Sequence, residues 1–384
     1  MYKNVVVKRA LKGTIFRAMS VINRVIPKCD KIILLYTANG GMWSNLKALK
    51  RYLLDYGYDK KYTIYCGIEN MKYAESDTNR VTYCAKIKSI LIFYRAKHVF
   101  YTSGQIPIKP SSTQIVIHLD HGAANFKKCG ALTSINNGDE FYFTYYLAPS
   151  KVYIPIVIKE YKCKECNIRI CGEACTDVMY GDYERYNLGE YSKIILWTPT
   201  FRQSDYYGYN DSEESILPMY SDEEYEELNQ KLKDYNFRLI VKLHPGQDAP
   251  KSGLARFSNL SIYSDEEFSK NGYELYSMMV QVDYMIADYS SVFLQFLLLD
   301  KPVAFVIPDF DEYSRNRGFV FENPKDYMPG EHITCKAELY SLFATWGREE
   351  DIYGDQRKKV RDIIHFYQDG NNAKRAAELS QICI

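Results

Sequence analysis

The stretch 283–319, DYMIADYSSVFLQFLLLDKPVAFVIPDFDEYSRNRGF, constrains the fold more than any other part of this chain. A short apolar strand, Tyr284 to Ala287, runs into Asp288-Tyr289-Ser290-Ser291. An apolar helix is expected from Val292 to Leu299, then a turn at Asp300-Lys301-Pro302 and a second buried strand from Val303 to Ile307. Strand, loop, helix and strand in this order build a parallel sheet. The loop 288–291 lies where a strand ends and a helix begins, so backbone N–H groups and the helix dipole favour an anion there. The hydroxyls of Ser290 and Ser291 add donors, and Arg315 and Arg317 bring positive charge beyond the second strand. This reads as a phosphate site. The plainer reading is that one serine only caps the helix.

The same logic applies along the chain. Residues 31–36 (KIILLY) form a first strand, leading through Thr37-Ala38-Asn39-Gly40-Gly41 into a helix from Ser44 to Tyr56. The glycine spacing does not fit a dinucleotide fingerprint. Strands are expected at 62–66, 98–101 and 114–119, with a helix at 86–94. The strand at 114–119 ends in His118-Leu119-Asp120-His121-Gly122, followed by Lys127, Lys128 and Gly130. A histidine at the carboxyl end of a parallel strand sits where open α/β sheets place chemistry. Residues 193–197 (KIILW) start a second sheet and end at Thr198-Pro199-Thr200-Phe201-Arg202. Further strands are expected at 237–243, ending at His244-Pro245, and at 260–263. Helices are expected at 221–233, with Ser221 and Glu224 as a capping box, and at 274–280. The tail 356–380 reads as helix broken near Asp369-Gly370-Asn371.

With 384 residues and 46% hydrophobic composition the chain can fill two cores. The expected division is a basic amphipathic helix over 1–30, one α/β domain over 31–190 and a second over 191–384. A formal charge of +1 gives no basic field for nucleic acid. Residues 1–28 nevertheless gather Lys3, Lys8, Arg9, Lys12, Arg17, Arg24 and Lys28 around apolar steps at Leu11, Ile15, Met19, Ile22 and Ile26. Such a helix lies on an anionic bilayer or packs on its own domain; the pattern serves both. No apolar run approaches the roughly 18 residues of a membrane-spanning helix. The ten cysteines lack a secretory pattern and read as reduced cytoplasmic thiols. Cys163 and Cys166 have metal-knuckle spacing, but Cys171 and Cys175 do not repeat it.

Taken together these segments resemble the CDP-glycerol glycerophosphotransferases of teichoic acid and capsule synthesis. The resemblance is carried by KIILLYTANGGMWSN, Asp120-His121-Gly122 with Lys127, Lys128 and Gly130, Thr198 to Arg202, Leu243-His244-Pro245, Asp288 to Ser291, Arg317-Gly318-Phe319 and Asp369-Gly370-Asn371. It implies a GT-B fold, two facing Rossmann-like domains with parallel sheets and a cleft between them. It implies transfer of glycerol phosphate from CDP-glycerol to a hydroxyl of a lipid-linked or polymer saccharide acceptor, with release of CMP, in the cytoplasm on the inner face of the bacterial membrane. His121 takes the family's place of general base. His244, Ser290, Ser291 and Arg317, with Arg202, Asp288 and Lys242 behind them, are the expected donor-phosphate residues; Asn39, Lys127 and Lys128 are expected on the acceptor side. No cofactor is required, though the diphosphate donor can carry Mg²⁺, and no metal cage is expected. Asp309, Asp311 and Glu312 form an acidic run near Arg315 and are expected only to pair with basic neighbours.

Two departures stand out. Asp120 replaces a tryptophan, and Gln295 an aspartate, of the family pattern. Three alternatives stay open: a CDP-ribitol or other CDP-polyol transferase, a GT-B glycosyltransferase or epimerase using a nucleotide sugar, and a carbohydrate- or membrane-binding module without activity. The absence of a large N-terminal extension favours a compact, primase-like or capsule enzyme.

Overall fold

The computed structural model describes residues 15–38, 40–75, 77, 79–120, 125–133, 140–204, 209–245, 247 and 257–384. The chain divides into two compact units. One comprises Met1–Ala123, Gly130–Tyr180 and His365–Ile384; the other comprises Ala124–Cys129 and Gly181–Ile364.

The first unit runs α1 (Ile15–Val25), β1 (Cys29–Tyr36), α2 (Ser44–Asp55), β2 (Thr63–Gly67), β3 (Thr82–Cys84), α3 (Lys86–Arg95), β4 (Ala96–Tyr101), β5 (Ile115–His118), β6 (Tyr145–Ala148), α4 (Ile154–Tyr161) and β7 (Ile168–Ile170). Its seven strands lie in the order β3-β2-β1-β4-β5-β6-β7, every pair parallel. The central strands are apolar because both faces are covered: Ile33, Leu34 and Leu35 are fully buried. On one face Leu46, Leu49 and Leu53 of α2 meet the sheet at helical spacing. Each such leucine contributes about 1.5–3 kcal/mol through burial.

The second unit runs β8 (Lys193–Trp197), β9 (Gln203–Ser204), β10 (Tyr209–Asn210), α5 (Tyr225–Asp234), β11 (Phe237–Lys242), β12 (Leu260–Tyr263), α6 (Asp265–Lys270), α7 (Leu275–Gln281), β13 (Tyr284–Ala287), α8 (Val292–Phe296), β14 (Val303–Val306), α9 (Phe310–Asn316), β15 (His332–Ile333), α10 (Lys336–Gly347) and α11 (Gly354–Ile364). Six strands form the parallel sheet β12-β11-β8-β13-β14-β15, and β9 pairs with β10 as a separate antiparallel ribbon. Both main sheets have the doubly wound order, so the expected α/β class with two parallel sheets holds.

Three expectations are corrected. The change of unit falls between Tyr180 and Gly181, ahead of the expected 190/191 boundary. The tail does not stay with the second domain. After α11, helix α12 (Asn372–Leu379) packs Ala373, Ala376 and Ala377 into the first unit's core beside α2. Small side chains let helix backbones approach, and the Asp177 carboxylate accepts from the N–H groups of Asn372 (2.9 Å) and Ala373 (2.8 Å) at the helix start. Third, residues 124–129, placed in the first domain, belong to the second unit. Phe126 is fully buried there against Phe293, Phe319 and Phe321, and Lys127 bridges Phe319 in antiparallel register.

α1 holds its domain in an unexpected way. Its buried residues are the polar Ser20 and Asn23. Asn23 donates to the Lys109 carbonyl and to Gln114 Oε1, both at 3.0 Å. Met19 and Ile26 are half-buried, while Ile15, Val21, Ile22 and Val25 are exposed. The first 14 residues of the expected 1–30 helix lie outside the described residues.

Candidate functional site

The site is built on the loop after β13. Asp288 is fully buried, and its carboxylate is used several times over. It accepts from Thr200 N (2.8 Å), Thr200 Oγ1 (2.6 Å), Ser290 N (3.0 Å) and Arg202 Nη1 (2.7 Å). Arg202 also donates through Nε to Asp309 Oδ2 at 2.8 Å, and Tyr289 donates its hydroxyl to Asp309 Oδ1 at 2.7 Å. The loop after β8, the loop after β13 and the start of α9 are thereby tied together. Burial opposes the charge on Asp309, but hydrogen bonds from Arg202, Ser212 and Tyr289 outweigh it and hold the carboxylate below its usual range. Burial likewise opposes the Arg202 charge, and the two carboxylates more than restore it.

Arg202 and Asp288 were expected to contact phosphate. In the structure their polar atoms are engaged with each other and with Thr200 and Asp309, in a network excluded from water. They brace the loop from beneath. Asp309 pairs with Arg202, 107 residues away, rather than with Arg315.

Ser290 and Ser291 stay half-exposed on this braced loop. Ser291 holds the N-cap position of α8, yet its side chain makes no cap hydrogen bond, so the plain capping reading does not account for it. α8 is short, passing at once into a single 3-10 turn at Leu297–Leu299. Charge at this site therefore has to come from side chains more than from a helix dipole.

Two cations supply it. Arg317 is half-buried beside Asp211, at 4.0 Å. Lys127, held by the Phe126 anchor, is half-buried close to Asp288, Arg317 and Asp211. Burial lowers its pKa, attraction to Asp288 opposes this, and repulsion from Arg317 adds to it. Lys127, expected on the acceptor side, lies near Asp288, Arg317 and Asp211. Lys128 is exposed, donates its backbone N–H to the Gly318 carbonyl at 3.2 Å, and lays its side chain over Gly318. Gly318 has φ +74°, which favours glycine in Arg317-Gly318-Phe319.

His244 is exposed, and its ring stacks on Phe201 at 5.3 Å and 8°. Lys242 is spent on Asp265, at 2.7 Å. His121 and Asn39 lie outside the described residues. Asp120, one of the departures, is buried at φ +61° and accepts from the Tyr146 hydroxyl, while its N–H donates to His118 Nδ1 at 3.1 Å. Gln295, the other, is fully buried in α8.

Sequence reasoning missed Tyr313 and Asp211. Tyr313 stacks on Tyr289 at 4.1 Å, and its buried hydroxyl has no hydrogen-bond partner among the described residues. Its one signal was an aromatic residue directly after the acidic run, in α9. A concavity of about 460 Å³ in the same unit is lined by Glu213, Glu214, Asp309 and Glu312; its charge disfavours a diphosphate. Among the described residues no three His, Cys, Asp or Glu side chains gather as a metal cage. All ten cysteines are free thiols, with Cys171 and Cys175 buried and Cys166 exposed.

Residues 18–379 match the profile of the CDP-glycerol:poly(glycerophosphate) glycerophosphotransferases. The chain belongs to this family. It is a glycerophosphotransferase. The teichoic acid glycerol-phosphate primase of Bacillus subtilis (strain 168) is 26% identical over 310 residues, covering 75% of this chain and 74% of the primase. The ribitol-phosphate polymerase TarL of Staphylococcus aureus (strain NCTC 8325 / PS 47) is 21% identical over 370 residues, 91% of this chain and 62% of that protein. In fold, the glycerophosphotransferase superposes on the wall teichoic acid polymerase TagF with a TM-score of 0.70 at 16% identity, covering 98% of this chain and 95% of that one. The likeness supports the GT-B class.

Proposed function

We propose that this glycerophosphotransferase moves glycerol phosphate from CDP-glycerol to a hydroxyl of a lipid-linked saccharide or of the growing polymer, in teichoic acid synthesis. The family match names the donor. What supports the chemistry is that Lys127 lies close to Asp288, at the start of the braced serine loop, and to Arg317. The acceptor oxygen attacks the glycerol-bearing phosphorus. A new P–O bond forms, the bridging P–O bond breaks, and CMP leaves with the bonding pair. Lys127, Arg317 and the two serines hold the diphosphate and offset the negative charge that grows on the CMP side. His244, fixed in orientation by Phe201, adds a donor. The acceptor proton passes to His121, by its place in the family pattern. Any Mg²⁺ comes with the diphosphate.

The reaction is carried out at an anionic membrane surface. α1 supports this: exposed Ile15, Val21, Ile22 and Val25 alternate with exposed Arg17 and Arg24 on a helix already fastened by Ser20 and Asn23. Among the described residues no helix is long and apolar enough to cross a membrane.

Calorimetry with CDP-glycerol, CDP-ribitol, CMP and UDP-GlcNAc tests the donor. Tightest binding of CDP-glycerol is expected, with CMP release when a lipid-linked disaccharide is added. Preference for CDP-ribitol would change the polyol; preference for UDP-GlcNAc would remove the reading.

A further inference from the structure

The loop after β1 and the loop after β2 are stitched together in the first unit. The Gly40 carbonyl accepts from Glu69 N (3.1 Å) and Asn70 N (3.2 Å). The Asn70 side chain in turn accepts from Lys72 N at 3.1 Å and starts a 3-10 turn over Met71–Tyr73. This turn lays Tyr73 over the backbone of Gly40 and Gly41. A Cβ on Gly41 would stand 2.7 Å from the Tyr73 Cβ, so only glycine lets the ring come this close. Trp43 meets Tyr73 at 5.8 Å and 69°. The two rings form a corner at the carboxyl ends of parallel strands, where open α/β sheets bind ligands.

The corner is open to solvent. Trp43 is 43% exposed and Tyr73 39%, whereas the other two tryptophans, Trp197 and Trp346, are buried. Two large aromatic surfaces left in water beside a tightly bonded loop need a reason, since each would contribute more if covered. Around them stand the exposed polar side chains Glu69, Asn70 and Lys72, with the Lys72 ammonium 4.7 Å from the Tyr73 ring centre.

We propose that Trp43 and Tyr73 form a stacking platform for a hexopyranose ring of the acceptor, with Glu69, Asn70 and Lys72 binding its hydroxyls. This rests on the transferase reading above and specifies the acceptor as a saccharide. A pyranose has apolar C–H faces that cover aromatic rings and a rim of hydroxyls that need donors and acceptors. One carboxylate, one amide and one ammonium provide both, with no net charge. A poly(glycerol phosphate) chain has no such face, carries a charge on every unit, and would meet Glu69 unfavourably. A nucleobase is flat and favours parallel surfaces, and the 69° corner offers it one.

The test uses Trp43 as reporter. The full-length protein is titrated with di-N-acetylchitobiose, with a glycerol phosphate trimer and with CMP, following tryptophan emission. Acceptor KM is measured in parallel, from CMP release with CDP-glycerol and a lipid-linked disaccharide. The disaccharide is expected to change the emission. Tyr73→Ala should weaken its binding and raise acceptor KM by about tenfold, while Tyr73→Phe stays within about twofold of wild type. The KM for CDP-glycerol should not move. An emission response to CMP or to the trimer but not to the disaccharide would overturn the platform, as would an unmoved acceptor KM in a Tyr73→Ala protein with wild-type melting. In those cases normal CMP release keeps the transferase reading intact. Disaccharide binding at Trp43 without CMP release from any acceptor would remove that reading and leave the platform.

Discussion

Arg202 Nη1 lies 2.7 Å from Asp288 Oδ2, and the two side chains are 2% and 0% exposed. A guanidinium and a carboxylate this deeply buried cannot be separated without stranding a charge. Asp309 shares the same guanidinium, so three loops depend on one side chain.

Arg202→Leu should therefore cost about 3–5 kcal/mol of stability, the typical loss when one partner of a buried pair is removed. Denaturant unfolding measures it. A change below about 1 kcal/mol would mean that the network is not holding the loop.

Lys127 gives a pH signature. Burial lowers its folded-state pKa from the ordinary 10.5. The penalty on its charge is complete below that folded pKa and is relieved as pH rises toward 10.5, so its contribution to stability improves with pH. Anion binding runs the other way, because only the ammonium attracts phosphate. Pyrophosphate affinity should fall at a pH below an ordinary lysine's titration, and Lys127→Met should remove that step. A titration showing the same profile in both proteins contradicts the assignment.

Asp177 predicts an acid-side effect. Burial raises its carboxyl from 3.8 to about 6, against the N–H groups of Ala373 and Asn372. The folded state then binds the proton more tightly than the unfolded one, so this group's contribution is largest below 3.8 and is lost as pH rises through about 6. Relative to Asp177→Asn, the wild type should gain up to about 3 kcal/mol between pH 7.5 and pH 3.5. Paired thermal melts across this range would show it; a flat difference would argue against the burial effect.

Ile22→Glu with Val25→Glu should abolish flotation with anionic vesicles and leave the melting temperature within a few degrees, because both side chains are exposed. Unchanged flotation would separate α1 from membrane binding.

His121→Ala should lower turnover by about 10²–10⁴-fold, the usual contribution of a positioned general base, while CDP-glycerol still binds. Equal turnover would remove His121 from the base position.

Much of the fold was legible because parallel strands buried on both faces are continuous apolar runs bounded by turn residues. Strands β8, β12 and β13 begin and end where those runs do. Helix α4 was not legible: Ile154-Pro155-Ile156-Val157-Ile158 is β-branched and carries a proline, and only its docking in the first unit makes it helical. The serine loop and Arg317 could be read from local spacing. The partners that decide the roles of Arg202 and Asp288 could not, since Thr200, Asp288 and Asp309 meet across 86 to 107 residues of chain. The neighbours of Lys127 could not be read for the same reason: Phe126, its anchor, looks locally like any other loop phenylalanine.

The return of α12 bears on how the polypeptide is made. Ala373, Ala376 and Ala377 complete a core whose other residues begin at Ile33. Everything from Gly181 to Ile364 is synthesised between them. A ribosome-bound chain that has emitted all of the first unit's strands still lacks one wall of that core, whereas the second unit is complete as soon as Ile364 is clear. Domains usually mature in the order of synthesis. Here the order is inverted: the later-made unit can finish first, and the earlier one waits for Ala373, Ala376 and Ala377 of α12.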